Sequence, residues 1–171
     1  MTTEEQEKWL NHLSDTDSVT IIPFDPTSNE KFEIVKAKIQ SRLGVTISVE
    51  HHGATNLRIS GQDEIDIYVP VSPENFTILF GDLVKLLSEP RSHYPQQRAR
   101  FVTIEGNKHI DIFLINQEHA NWINLVKFEK YLLEHPDTLN AYKNLKESCN
   151  GLSTRKYYRK KTEFINSILA L

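Results

Sequence analysis

Sulfur is nearly absent from these 171 residues: there is one cysteine, Cys149, and one methionine, at position 1. A lone thiol makes no intrachain disulfide and no cysteine-based zinc site. Glycine is scarce, at six residues, so a glycine inside a patterned segment carries information. No apolar run approaches the ~20 residues of a membrane-spanning helix, and no membrane partner is expected. Positive charge is not in excess either: 20 Lys and Arg stand against 23 Asp and Glu, a net charge of −3. A dedicated nucleic-acid surface needs a basic face, so none is expected. The opening MTTEEQEKWL lacks the apolar stretch of a signal peptide, and the cytoplasm is the expected compartment.

What is present is a change of pattern along the chain. EEQEKWLNHL has helical spacing, SVTIIPF reads as a strand, and Phe32, Val35, Ile39 and Leu43 recur at helical intervals up to Gly44. TISVEHHG and EIDIYVPV alternate as strands, and Ser72-Pro73-Glu74 opens a helix with Phe76, Leu79, Phe80, Leu83 and Leu87 on its buried side. EPRSHYPQQ, with two prolines, reads as a loop. RARFVTIEGNKHIDIFLIN is a hairpin signal, two β-type runs around Glu105-Gly106-Asn107-Lys108. Three helical patterns follow, separated by Pro136 and Gly151, and Trp122, Phe128, Tyr131 and Tyr142 read as their shared core. The expectation is one α+β domain over residues 1–171: a core over about 17–116 and C-terminal helices over about 117–171, packed on it.

The acidic residues are the chemically informative ones. Side chains alternate along a strand, so Glu64, Asp66 and Tyr68 share one face of EIDIYV, while His109, Asp111 and Phe113 share one face of HIDIFLI. If the two strands are neighbours, Glu64, Asp66 and Asp111 meet. Acids on the polar face of a half-buried sheet are ordinary. Three of them together repel one another unless a cation neutralises them, and oxygen clusters of this kind suit hard divalent ions such as Mg²⁺. Gly53 shifts the balance toward a site, because it ends a strand and begins a loop whose backbone can approach a phosphate closely. A glycine loop, a carboxylate pair two apart and a third carboxylate on a later strand form the layout of a nucleotidyl-transfer site.

The segments IIPFDP, VEHHGAT, EIDIYV, RARF, KHIDIF, VKFEKYLLEHP, AYKNLK and YYRKKTEFI run in this order from near residue 21 almost to the C-terminus. Together they resemble the GrpB family of the nucleotidyltransferase superfamily. The resemblance implies a nucleotidyltransferase-like mixed β-sheet flanked by helices, with a helical C-terminal part. It implies Mg²⁺ or Mn²⁺ at Glu64, Asp66 and Asp111, a nucleoside triphosphate as ligand, and an unknown acceptor. The chain departs from the pattern in both directions. The superfamily's Gly-Ser loop is Gly53-Ala54 here, which leaves Thr55 to supply a hydroxyl, and NLRIS and QD replace the family's usual VPGL and KP. Conversely, many GrpB members have an apolar residue in place of Glu64 and a histidine in place of Asp111, so this triad is the more acidic one.

Other candidates are weighed against plainer roles. By alternation one of His51 and His52 points inward and the other toward the cleft. His109 lies on the acidic face, for phosphate, metal or a structural ion pair. Arg100, more than Arg98, is a phosphate candidate. Tyr157, Lys161, Phe164 and Ile168 follow helical spacing, and the family's Tyr-xxx-Lys-xx-Phe pattern falls on the first three. Lys161 then either faces the triphosphate or bridges to Asp66 or Asp111, and Tyr157 is an accessory residue. The functional expectation is metal-dependent nucleotide binding with nucleotidyl transfer. Its rival is a non-catalytic nucleotide-, phosphometabolite- or protein-binding module on the same fold.

Overall fold

A computed structural model describes residues 1–170. In chain order the elements are α1 (Glu4–His12), α2 (Ser28–Leu43), β1 (Glu50–His52), α3 (Gly53–Asn56), β2 (Glu64–Val71), α4 (Pro73–Leu87), β3 (Ser92–Tyr94), β4 (Arg98–Glu105), β5 (Lys108–Asn116), α5 (Ala120–Glu134), α6 (Pro136–Ser148) and α7 (Thr154–Leu169). They form two compact units. One comprises Asp25–Arg58 and Asp63–Leu125; the other comprises Met1–Phe24, Ile59–Gln62 and the chain from Val126 onward.

The first unit is a five-stranded sheet in the order β1-β2-β5-β4-β3. It is mixed: β2 and β5 run parallel, and the other neighbours are antiparallel. Alternation decides which face is apolar. Ile65, Ile67, Val69 and Val71 of β2 and Ile110, Ile112 and Leu114 of β5 are buried in one cluster with Ala99 and Phe101 of β4. Phe32, Val35 and Ile39 of α2 and Phe76, Leu79 and Leu83 of α4 close the same cluster. Both helices are bounded as their sequences direct. Pro73 occupies the first turn of α4, where its missing N–H costs nothing, and Gly44 ends α2 at φ 108°.

A buried lysine ties the entry of α2 to the entry of β5. Lys108, 4% exposed, reaches Asp25 at 3.2 Å and also bonds Asp63. Asp25 is further fixed by Thr27, whose N–H and hydroxyl both donate to its Oδ1, at 2.9 and 2.7 Å. The Thr27 hydroxyl, then the Thr27 N–H, and then Lys108 hold the Asp25 carboxyl down from 3.8 to about 2. A depressed folded-state pKa stabilises the fold fully above the ordinary value, and that stabilisation fades as pH falls through the lowered one. The stability difference between wild type and Asp25→Asn should therefore be constant above pH 3.8 and shrink as pH falls toward about 2. Urea melts across that interval check it.

In the second unit, Thr3 and Gln6 form a reciprocal capping box on α1. Arg159 of α7 pairs with Glu7 at 2.6 and 2.9 Å. Its guanidinium, with help from the Thr2 hydroxyl, holds the Glu7 carboxyl at about 2. Val19, Cys149 and Tyr157 form a fully enclosed cluster. Phe128, Tyr142 and Phe164 pack as a ring triplet, with Tyr142 5.2 Å from each of the other two.

Four local expectations are corrected. SVTIIPF is not a strand: Ser18 and Ile22 make isolated bridges to Ser153 and Gly61. TISVEHHG pairs with β2 only over Glu50–His52. EPRSHYPQQ is not only loop, because Ser92–Tyr94 pairs with Arg98–Arg100. Pro90 and Pro95 flank this strand rather than interrupt it, and His93 stacks on Phe80 at 4.0 Å. Trp122 does not join the helical core. It packs on Tyr68 and His52 of the sheet.

Candidate functional site

The face of the sheet opposite α2 and α4 carries the acids. In the parallel register of β2 and β5, Asp66 lies directly beside Asp111, and Glu64 lies beside His109. Neighbouring strands are about 4.8 Å apart, so the paired side chains project side by side. One carboxylate oxygen from each of Glu64, Asp66 and Asp111 lies within 4.8 Å of the other two. Glu64 and Asp66 are half-buried and Asp111 is buried. The donor set is oxygen only, as a hard divalent cation requires, and the spacing lets one ion touch all three.

Two neighbours hold this arrangement. Gly53, at φ 76°, lies against Asp66: a Cβ built on it would sit 2.2 Å from Asp66 Oδ2. The glycine therefore does more than free a loop backbone. Its missing side chain is the space that the Asp66 carboxylate occupies. The second neighbour is Arg100, whose Nη2 donates to both oxygens of Asp111, at 2.9 and 3.0 Å. The Asp111 side chain is 8% exposed and that of Arg100 is 38% exposed, so the cation caps a deeper carboxylate and offsets part of the triad's charge.

The remaining candidates fall into three groups. Gly53, Ala54 and Thr55 lie in α3, a single turn directly after β1. Thr55 Oγ1 is 2.8 Å from His51 Nε2, and the His51 ring stacks on Phe32 at 4.7 Å. His51 is thus the inward histidine. His52, opposite Asp66 in the β1–β2 register, lies on the triad's face with its Nε2 3.2 Å from Glu50. His109 is exposed beside Glu64. Lys161 and Tyr157 belong to the other compact unit. Lys161 is half-buried, with its ammonium 5.4 Å above the Tyr158 ring. Tyr157 is fully buried with Val19 and Cys149.

Sequence reasoning missed the ring group beside the acids. One pair further along the strands from Asp66 and Asp111, Tyr68 and Phe113 stack at 4.7 Å. Alternation had already put both on the acidic face, and that was the available signal. Trp122, 5.8 Å from Tyr68, had none.

A family model described as GrpB protein matches residues 18–171. The chain belongs to the GrpB family. A UPF0157 protein of Vibrio cholerae is 28% identical over 127 residues, covering 71% of this chain and 65% of that protein. The match thus spans less than two thirds of that relative. The crystal structure of the GrpB protein from Enterococcus faecalis superposes with a TM-score of 0.66 at 20% identity, covering 86% of this chain and 93% of that one. That likeness shows a shared GrpB fold. More distant is the Cid1 poly(U) polymerase, at a TM-score of 0.45 and 11% identity over 85% of this chain and 49% of that one, and no property of it transfers at that distance.

Proposed function

We propose that this GrpB protein binds a nucleoside triphosphate with Mg²⁺ or Mn²⁺ at Glu64, Asp66 and Asp111, and transfers a nucleotidyl group to an acceptor. The observation that carries the reading is the convergence of three carboxylates within 4.8 Å, which the fold maintains at an electrostatic cost. Divalent ions held there would offset charge on the triphosphate and raise the acidity of the attacking hydroxyl. The chain's own residues do the rest. Gly53, Ala54 and Thr55 approach the phosphates with backbone N–H groups and one hydroxyl. Arg100 exchanges part of its hold on Asp111 for a phosphate oxygen, the partner its fork geometry suits equally well. His109 borders the site beside Glu64.

Asp66→Asn tests the reading. Removing one of three crowded anions should leave the metal-free protein as stable as wild type or more so, because repulsion is relieved. It should also abolish the rise in melting temperature that Mn²⁺ gives wild type. Equal Mn²⁺ shifts in both proteins would remove the metal from this site.

Lys161→Met tests the role that the family resemblance suggests for Lys161. If Lys161 serves the triphosphate, the variant should bind nucleotide more weakly by about 1.5–3 kcal/mol, the worth of a charge-assisted hydrogen bond. Its stability should hold, because methionine keeps the apolar stem. Calorimetric titration and denaturant melts on the one variant read both quantities. Unchanged affinity would withdraw Lys161 from the site.

One observation favours a second reading, a nucleotide-binding module without catalysis: Ala54 stands where the superfamily loop has serine. Such a module would show a metal-dependent thermal shift with nucleotide yet release no pyrophosphate with any acceptor.

A further inference from the structure

Arg98 stands two residues from Arg100 on β4, on the triad's face of the sheet. The residue is half-buried, and its guanidinium lies over two rings, 5.4 Å from the centre of Tyr94 and 6.0 Å from that of Phe113. It has no carboxylate partner among the described residues. Its Nε is buried without a hydrogen bond, and so is the Nε of Arg100, whose bonds to Asp111 use Nη2 alone. Both Nε atoms are closed off from solvent, so an incoming anion meets the outer Nη groups: those of Arg98, which no carboxylate holds, and the Nη1 of Arg100, which Asp111 leaves unused.

The register locates it. Arg100 is opposite Phe113 but reaches Asp111, and Arg98 is opposite Ile115 but lies over Phe113. The Arg100 side chain thus leans one pair toward the triad, and the Arg98 guanidinium lies between the rings of Tyr94 and Phe113, two residues behind it on the same face. Residues two apart on a strand are separated by about 6.7 Å, a span that a single tetrahedral anion can bridge between planar guanidinium groups through paired N–H donors.

We propose that Arg98 and Arg100 form an anion subsite that holds a phosphate group of the ligand one dipeptide step from the triad. The inference rests on the nucleotide reading only for the origin of that phosphate, which is either the terminal phosphate of the triphosphate or a phosphate of the acceptor. Anion binding by the arginine pair itself needs no metal.

The test is calorimetric titration of the whole chain without divalent metal, using inorganic phosphate and tripolyphosphate against chloride at matched ionic strength. Wild type should bind both phosphates, and Arg98→Gln should bind them about tenfold more weakly. Asp66→Asn, with one anion fewer beside the pair, should bind them at least as tightly as wild type, so failure of the metal site leaves this result standing. With Mn²⁺ present, ATP and AMP separate the two origins. If the phosphate is the nucleotide's own, Arg98→Gln weakens ATP about tenfold and leaves AMP unchanged. If it belongs to the acceptor, inorganic phosphate still binds at saturating ATP and Mn²⁺. Should Arg98→Gln fail to fold, the wild-type titration decides alone. No metal-independent phosphate binding by wild type, or equal binding by wild type and Arg98→Gln, overturns the proposal.

Discussion

Gly53→Ala is expected to fold and to lose its divalent metal site. Two effects act at this position. Alanine at φ 76° meets the steric penalty of left-handed backbone, about 1–2 kcal/mol, which lowers stability modestly. The second effect is local and larger in its consequence. The new Cβ would lie 2.2 Å from Asp66 Oδ2 and 3.1 Å from Asp66 Cγ, so the carboxylate must rotate away. Asp66 lies directly beside Asp111 and two residues from Glu64 on β2, and one lost ligand of three should weaken Mn²⁺ binding at least about tenfold, the equivalent of ~1.4 kcal/mol. Gly44 is the internal control. It too has positive φ, at 108°, but a Cβ there meets nothing within 4 Å. Gly44→Ala should therefore cost stability alone and keep the full Mn²⁺ thermal shift. If the two variants respond alike to Mn²⁺, contact between Gly53 and Asp66 is not what shapes the site.

Lys108→Met should be the most destabilising change outside the hydrophobic core. Removing one member of a buried ion pair strands the other, which costs about 3–5 kcal/mol where both are enclosed. Here the lysine is 4% exposed, while the Asp25 and Asp63 side chains keep 25% and 43% exposure. Water and Lys31, 3.8 Å from Asp25, therefore recover part of the loss, and about 2–3 kcal/mol is expected. Denaturant melts of Lys108→Met, Asp25→Asn and the double variant separate the pair from its surroundings. The double should be more stable than the sum of the singles predicts, because the stranded carboxylate is then gone. Strict additivity would mean that Lys108 and Asp25 are neighbours without coupling.

How much of this was readable from the chain depended on range. Period-2 alternation in EIDIYVPV and KHIDIFLIN assigned a face to every residue of β2 and β5, including all three triad acids, before any strand order was known. Helical spacing, with Pro73 and Gly44 at the ends, delimited α4 and α2. What alternation cannot supply is neighbourhood. Nothing in the two segments says that β2 and β5 are adjacent and parallel, which is what brings Asp66 beside Asp111. The same holds for the Arg100–Asp111 pair, which depends on hairpin register, and for Trp122, whose place over Tyr68 depends on where α5 begins. Gly53 was singled out for its backbone freedom, whereas the space it leaves for Asp66 is visible only in three dimensions. The missed strand β3 is three residues long, below what a periodicity argument resolves, and its flanking prolines suggested loop.

The central claim is that the three carboxylates form a metal–nucleotide site, and the most direct measurement is anomalous diffraction from crystals grown with Mn²⁺ and a non-hydrolysable nucleoside triphosphate. The account predicts a manganese peak about 2.1 Å from carboxylate oxygens of Glu64, Asp66 and Asp111, with triphosphate oxygens completing its coordination. Manganese bound elsewhere, or nucleotide bound with no manganese at the triad, would contradict it.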